Sequence, residues 1–375
     1  MRIRGAVLEE IGRARPYAET APITVGELEL DDPGPTEILV RIEAAGVCHS
    51  DLSVVDGNRA RPVPMLLGHE SAGRVEKVGQ EVEAAGDIRV GDRVVMSFLP
   101  RCGECRECRT DGRLPCSVGS ATNNEGTLLS GERRLAREGA PVHHHLGVSG
   151  FATHAVVDAA SAVVVPDEVP PEIAAVLGCA VLTGGGAVLN AARPGPDDSV
   201  MIVGLGGVGM AALLVALSQD VREIIAVDAV PSKLERARRL GADRVLTPQE
   251  VAEQGVTADR VIEAAGHPRA FETAAVAIGF GGTMVTVGLP APDATSSIHP
   301  LPLTAKAQSI IGCYLGSAVP RRDIPTYARL YLDGKLQVEE LISARIRLED
   351  INTAMDQLAD GEALRQIILF EEQAD

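Results

Sequence analysis

The sequence predicts an α/β protein of two domains, one of them a doubly wound parallel sheet. Three observations carry that expectation. The chain has 375 residues, enough for two ordinary domains that each bury a core. Ser199–Val203 reads as a short buried strand that runs directly into Gly204-Leu205-Gly206-Gly207-Val208-Gly209 and an apolar helix starting near Met210. Strand-like runs then recur at Glu223–Val227, 260–263, 283–287 and 309–313 with helical stretches between some of them, the alternation that builds a parallel sheet.

Composition narrows the function classes. Hydrophobic residues make up 45% of the chain, which places it among globular proteins and not among disordered ones. The 35 basic and 52 acidic residues give a net charge of −17, which repels phosphate backbones and anionic membrane surfaces. Arg101, Arg106, Arg109 and Arg113 come closest to a basic patch, but acids interleave them and they read as a solvated loop. Aromatic residues are 2% with no Trp, so base-stacking platforms are scarce. A nucleic-acid partner is not expected. The N-terminus carries Arg2, Arg4, Glu9 and Glu10 and shows no signal-like apolar stretch, so the expected location is cytoplasmic. Two uncharged runs, 173–192 and 199–219, are long enough to raise a membrane span, but Gly184, Gly185 and Gly186 break the first and four glycines the second. Both read as buried α/β core.

Seven cysteines in a reducing compartment point to metal, not disulfides. Cys102, Cys105, Cys108 and Cys116 form C-x2-C-x2-C-x7-C in a Gly-, Arg- and Glu-rich segment, a pattern suited to a structural zinc held by four thiolates. The first three also match an iron–sulfur run. That run needs its fourth cysteine after three residues and before a proline, whereas here it follows after seven and Pro115 precedes it. A second constellation is scattered: Cys48 in Gly46-Val47-Cys48-His49-Ser50-Asp51, His69 in Gly68-His69-Glu70, and Cys179 in Leu177-Gly178-Cys179-Ala180. Two thiolates and one imidazole leave a tetrahedral zinc with an open position, which is how catalytic zinc is built. Asp51 and Glu70 adjoin the ligands, where carboxylates orient an imidazole or tune the metal.

The G-x-G-x-x-G run between strand and helix suits a dinucleotide pyrophosphate. Asp228 ends the second strand 19 residues beyond Gly209, where an acid accepts from ribose hydroxyls and repels a 2′-phosphate. NAD is therefore expected over NADP.

Gly68-His69-Glu70-x2-Gly73-x5-Gly79-x2-Val82, with the cysteine lobe and the Gly178-Cys179 segment, resembles the zinc-containing medium-chain alcohol dehydrogenase family. The similarity covers nearly the whole chain and is to the long-loop, dimeric type, which includes the class I and III enzymes and actinobacterial relatives. The resemblance implies a GroES-like, β-rich catalytic domain at 1–180 and 315–375, with a structural-zinc lobe at 102–116. A Rossmann cofactor domain at 181–314 is inserted into it. It implies two Zn2+ per subunit, one catalytic on Cys48, His69 and Cys179, and NAD on Gly204, Gly206, Gly207, Val208, Gly209, Asp228, Lys233 and Thr183. His49 and Arg365 fall where the family contacts the pyrophosphate, although on charge alone Arg365 would be an ordinary surface residue.

By the same resemblance Ser50 receives the proton of the alcohol and passes it to the nicotinamide ribose. Many relatives end that relay at a histidine where this chain has Ser53. Phe98, Leu146, Leu289 and Tyr314 fall at substrate-pocket positions, and the set implies a primary or aromatic alcohol, or the corresponding aldehyde. His143, His144 and His145 match a His-rich turn that is not a metal site in the family. Segment 117–142 reads as a long charged loop, disordered by composition, whose length matches dimeric relatives. Two rival functions remain: a mycothiol- or glutathione-dependent formaldehyde dehydrogenase, the glutathione form weakened by Ser120, and a non-catalytic NAD- and zinc-binding scaffold, against which Cys48, His69, Cys179 and Ser50 all stand. Cys313 reads as a buried apolar thiol.

Overall fold

The computed structural model describes residues 1–361 and 363–370. The chain divides into two compact units. The first comprises Met1–Cys179, Pro320–Leu332 and the chain from Glu339 onward, and the second comprises Ala180–Val319 and Asp333–Val338.

The second unit holds a six-stranded, all-parallel sheet. Its order is Arg244–Leu246, Glu223–Val227, Ser199–Val203, Ala258–Glu263, Ile278–Thr286 and Ser309–Gly312. That order reverses direction beside Ser199–Val203, as in doubly wound sheets. Ser199–Val203 is buried throughout because helices cover both faces of such a sheet, so its strands read as unbroken apolar runs. Helix Gly207–Leu217 starts three residues before the position read from sequence and is apolar nearly all round, consistent with full burial. Glu263 terminates its strand: its carboxylate accepts from Ala265 N–H at 2.9 Å, Gly266 N–H at 2.7 Å and Thr286 Oγ at 2.7 Å.

The first unit contains a closed barrel of Arg2–Leu8, Ile23–Leu30, Leu135–Arg137, Ala140–His144 and Met65–Leu66. Beside it lies a larger sheet in which Glu37–Val47 pairs with Ser71–Val78, His154–Asp158 and Arg365–Leu369. One cluster, including Ile38, Val40, Ile42, Met65, Leu67, Phe151 and Ile368, forms its main core.

Segment 117–142 corrects the loop reading. It carries helix Ser117–Glu125 and two barrel strands, and a buried ion pair fastens it to a distant strand. Glu37 is 1% exposed and accepts from Arg134 Nε at 2.8 Å, Ser130 Oγ at 2.8 Å and Gly34 N–H at 2.8 Å. Burial pushes the Glu37 carboxyl up, but the Arg134, Gly34 and Ser130 hydrogen bonds outweigh it and leave the pKa below its ordinary value. The apolar run 173–192 lies within a helical stretch, Pro171–Ala192, whose most apolar window is 89% buried inside the protein. It is long and apolar enough to cross a membrane, yet its burial is that of a core helix.

Arg134→Met should leave the Glu37 carboxylate buried without its cation and lower unfolding free energy by about 2 kcal/mol in urea titrations. Because the folded-state pKa of Glu37 is depressed, the pair's contribution is present above the ordinary carboxylate pKa and lost as pH falls through the lower folded value. The variant's loss should therefore shrink towards acid pH.

Candidate active site

Cys48 caps the N-terminus of helix His49–Val55, and the third helical residue, Asp51, returns a carboxylate to it. Asp51 is fully buried. Its Oδ2 accepts the Cys48 N–H at 3.1 Å, and its Oδ1 accepts the Gly68 N–H at 3.3 Å and the His69 Nδ1–H at 3.0 Å. Burial raises the Asp51 pKa, but the adjacent His69 and His145 imidazoles outweigh it and bring the value to about 2. An ionised Asp51 can only accept, so His69 carries a proton on Nδ1 and turns Nε2 towards the cluster, where a metal would displace any second proton. Gly68 makes this possible: at φ +92° it turns the chain where a Cβ would overlap the Phe151 backbone nitrogen.

Cys179 arrives from the helical stretch at a π-type widening over Leu177–Val181, a local irregularity common at functional sites. Its Sγ lies 3.4 Å from His69 Nε2. A tetrahedral zinc with ordinary bond lengths sets such sulfur–nitrogen edges at about 3.6 Å, so the spacing fits the ion. The donor atoms of Cys48, His69, Glu70 and Cys179 all lie within 4.8 Å of one another. The Cys48 thiol is held well below its ordinary pKa by the Cys179 thiol, against burial and with help from Arg365 and His69. Cys179 is pushed well above its own by the same contact and by burial. Burial pulls His69 down, yet Asp51 and Cys48 raise it well above its ordinary range.

Arg365 departs from the surface position that its charge alone suggested. It is 2% exposed, donates to Val47 O at 3.1 Å and sets Nε 3.2 Å from Glu70 Oε1. Burial, reinforced by the Cys48 and Asp51 charges, raises the Glu70 carboxyl to about 7 against Arg365 and His69. The guanidinium thus competes with any metal for the fourth donor in reach, the Glu70 carboxylate.

Ser50 stands beside the cluster, its Oγ 4.0 Å from Cys48 Sγ, while the Ser53 hydroxyl donates to His49 O at 2.7 Å. His49 is exposed. Phe98 is buried with its ring edge-on to His69 at 5.4 Å, and Leu146 is buried at φ +53°. Leu289 and Tyr314, in the second unit, are 58% and 39% exposed. The histidine trio diverges. His143 Nδ1 accepts from Arg133 Nε at 3.2 Å, His144 Nε2 accepts from Arg134 N–H at 3.1 Å, and His145 turns towards Asp51. Burial drops the His144 pKa to about 3. Cys313 is buried with its sulfur 3.4 Å from Ser317 Oγ.

The four lobe cysteines also converge. Cys102 Sγ lies 3.9 Å from Cys108 Sγ, and Cys105 Sγ lies 3.8 Å from Cys116 Sγ. A tetrahedral zinc–thiolate site has sulfur–sulfur edges of about 3.8 Å, so these thiols fit zinc closely. Backbone N–H groups of Cys102, Cys105, Cys108 and Gly119 point at the sulfurs, and Arg101 ties the lobe to the carbonyls of Glu107, Cys108 and Leu114.

In the second unit Gly204 sits at φ +92°, and a Cβ on Gly209 would overlap the Gly204 carbonyl, so strand and helix close tightly around a loop whose helix N-terminus suits phosphate. Asp228 accepts from Leu205 N–H at 2.7 Å, with Lys233 Nζ 4.0 Å away. Thr183 is buried within helix Leu182–Gly186.

With this geometry in place, residues 34–167 match the alcohol dehydrogenase GroES-like domain family and residues 207–333 the zinc-binding dehydrogenase family. The chain is 32% identical to alcohol dehydrogenase 1 of Pisum sativum, covering 99% of this chain and 98% of that one. The chain belongs to the zinc-containing medium-chain alcohol dehydrogenase family. It is also 34% identical to an NDMA-dependent alcohol dehydrogenase of Amycolatopsis methanolica, covering 98% and 99% of the two chains. Its fold superposes on the crystal structure of benzyl alcohol dehydrogenase from Acinetobacter calcoaceticus with a TM-score of 0.89, at 31% identity, covering 99% and 100%. This family member is a zinc-type alcohol oxidoreductase.

Cys116→Ala is expected to remove one of two bound zinc equivalents, counted by atomic absorption, and to lower Tm by roughly 5 °C.

Proposed function

We propose that this enzyme exchanges hydride between a primary or aromatic alcohol and NAD, with Cys48, His69 and Cys179 as its catalytic zinc ligands. The observation that carries the reading is the buried convergence of those three donors, with Ser50 beside them and Phe98 edge-on to the ligand His69. A zinc ion held there supplies Lewis acidity that lowers the pKa of an alcohol hydroxyl towards neutrality. The chain's own residues do the remainder. Ser50 Oγ takes the hydroxyl proton at the mouth of the cluster. Ser53 is engaged with its own helix backbone, so the exposed His49 imidazole next to Ser50 is the group that hands the proton to solvent. Asp51 holds His69 in its tautomer, and Arg365 keeps Glu70 occupied.

The cofactor is held in the second unit by the Gly204–Gly209 loop and Thr183, with Asp228 and Lys233 reading the adenosine ribose. Phe98 and Leu146 are the substrate-facing residues of the first unit. Likeness to a benzyl alcohol dehydrogenase supports an aromatic substrate. The catalytic domain is assigned to 1–180 and 315–375 and the cofactor domain to 181–314. The functional unit is a cytoplasmic homodimer. Strand Ser309–Gly312 at the sheet edge, with exposed Ile311, Leu301 and Phe280, supports pairing with a second copy.

The deciding assay follows NAD reduction at about 340 nm over aliphatic, benzylic and terpenoid alcohols and thiol–formaldehyde adducts, in the native enzyme and in Cys48→Ala, with zinc counted alongside. Turnover of free alcohols with NAD far above NADP, lost in the variant together with one zinc, is the expected result. Turnover of adducts alone would replace this substrate class with a thiol conjugate, and NAD binding without turnover would make the chain a scaffold. Ser50→Ala should lower kcat by roughly 100-fold or more and leave zinc content intact. An unchanged rate would remove Ser50 from the relay.

A further inference from the structure

His145 is fully buried, yet neither ring nitrogen makes a hydrogen bond among the described residues. An imidazole left in that condition costs about 1–3 kcal/mol. Nδ1 stands 3.2 Å from Asp51 Oδ1, the oxygen that already takes the His69 proton at 3.0 Å. The two rings meet edge to face with centroids 5.6 Å apart.

This placement is built by the fold. Ala140–His144 runs parallel to Met65–Leu66, with His143 opposite Met65 and His144 opposite Leu66. The next residues of both segments therefore advance together towards His69. A tight turn then fixes His145. Its N–H donates to Ser149 Oγ at 2.9 Å, the Ser149 hydroxyl donates to Leu66 O at 2.9 Å, and the Ser149 N–H donates to His145 O at 3.2 Å. Leu146 and Ser149 both adopt positive φ to close it.

We infer that His145 is a positioning residue: it braces the Asp51 carboxylate at Oδ1, the oxygen that does not bond the Cys48 N–H, and through Asp51 it sets the orientation of the zinc ligand His69. A small turn of the ring brings Nδ1–H onto Oδ1, so one carboxylate oxygen serves two imidazoles. The inference rests on the reading of Cys48, His69 and Cys179 as zinc ligands.

Two substitutions separate its parts. His145→Phe keeps an edge-to-face ring and removes the N–H, whereas His145→Asn keeps a donor near the Nδ1 position and removes the ring. Zinc affinity is measured by competition with a chromogenic chelator, and ligand-field bands are recorded after cobalt replacement. The four-cysteine zinc serves as the internal control for folding. His145→Phe is expected to weaken the catalytic-site zinc about 10-fold and shift the cobalt bands, with His145→Asn restoring most of both. Native zinc affinity and an unshifted cobalt spectrum in the Phe variant would overturn the inference, and so would equal loss in the two variants, which would assign the effect to ring packing. Three zinc equivalents in the native chain, falling to two in the Phe variant, would make His145 a ligand and overturn it as well. A native chain with only the lobe zinc would instead sink the catalytic-zinc reading, and this is seen before any substitution is made.

Discussion

A single carboxylate, that of Asp51, organises the catalytic half of this molecule. Buried anions cost several kcal/mol unless they are paired and hydrogen-bonded, so their partners must be held firmly. Asp51 meets that demand with the N–H of Cys48, the N–H of Gly68, the Nδ1–H of His69 and the neighbouring His145 ring. These groups come from the helix cap at Cys48, the end of strand Met65–Leu66 and the turn after Ala140–His144. One desolvated charge therefore sets the relative positions of three segments and, with them, two of the three proposed metal ligands.

A second buried charge pair works in the opposite sense. Glu70 would be a fourth donor beside Cys48, His69 and Cys179, but Arg365 arrives from the closing strand and stands 3.2 Å from it. Arg365–Leu369 lies antiparallel to Glu37–Val47, placing its first side chain beneath the turn that carries Cys48. The last described strand of the chain thus determines how many acidic donors are free at a centre formed mostly by its first 179 residues. Exposed pairs such as Lys77–Asp32 and Arg238–Glu235 are screened by solvent and organise nothing comparable.

Much of the cofactor unit was legible because parallel strands covered on both faces are continuous apolar runs, and the glycine loop is a local steric requirement. The four-cysteine lobe was legible for a similar reason, since all its donors lie within fifteen consecutive residues. Segment 117–142 was misread because its order is not local. Its charged composition resembles a loop, while its anchor, Glu37, lies 97 residues from Arg134. Helix Ser117–Glu125 also carries little apolar periodicity, and its cap is a metal-site cysteine, Cys116. The burial of Arg365 was not legible because a lone arginine has no pattern that announces a buried carboxylate 295 residues earlier.

The sequence by itself determined the kinds of donor available, the strand–loop–helix that accepts a dinucleotide, and the acid at the end of the second strand. Each depends on residue type and on spacing within a few turns of chain. The tertiary structure decided which of three adjacent histidines faces Asp51, that Arg365 is buried against Glu70, and that Phe98 and Leu146 are buried while Leu289 and Tyr314 are exposed on the other unit. These are choices of direction and burial. They follow from strand register, a positive-φ turn and long-range desolvated charge pairs, which no local pattern encodes.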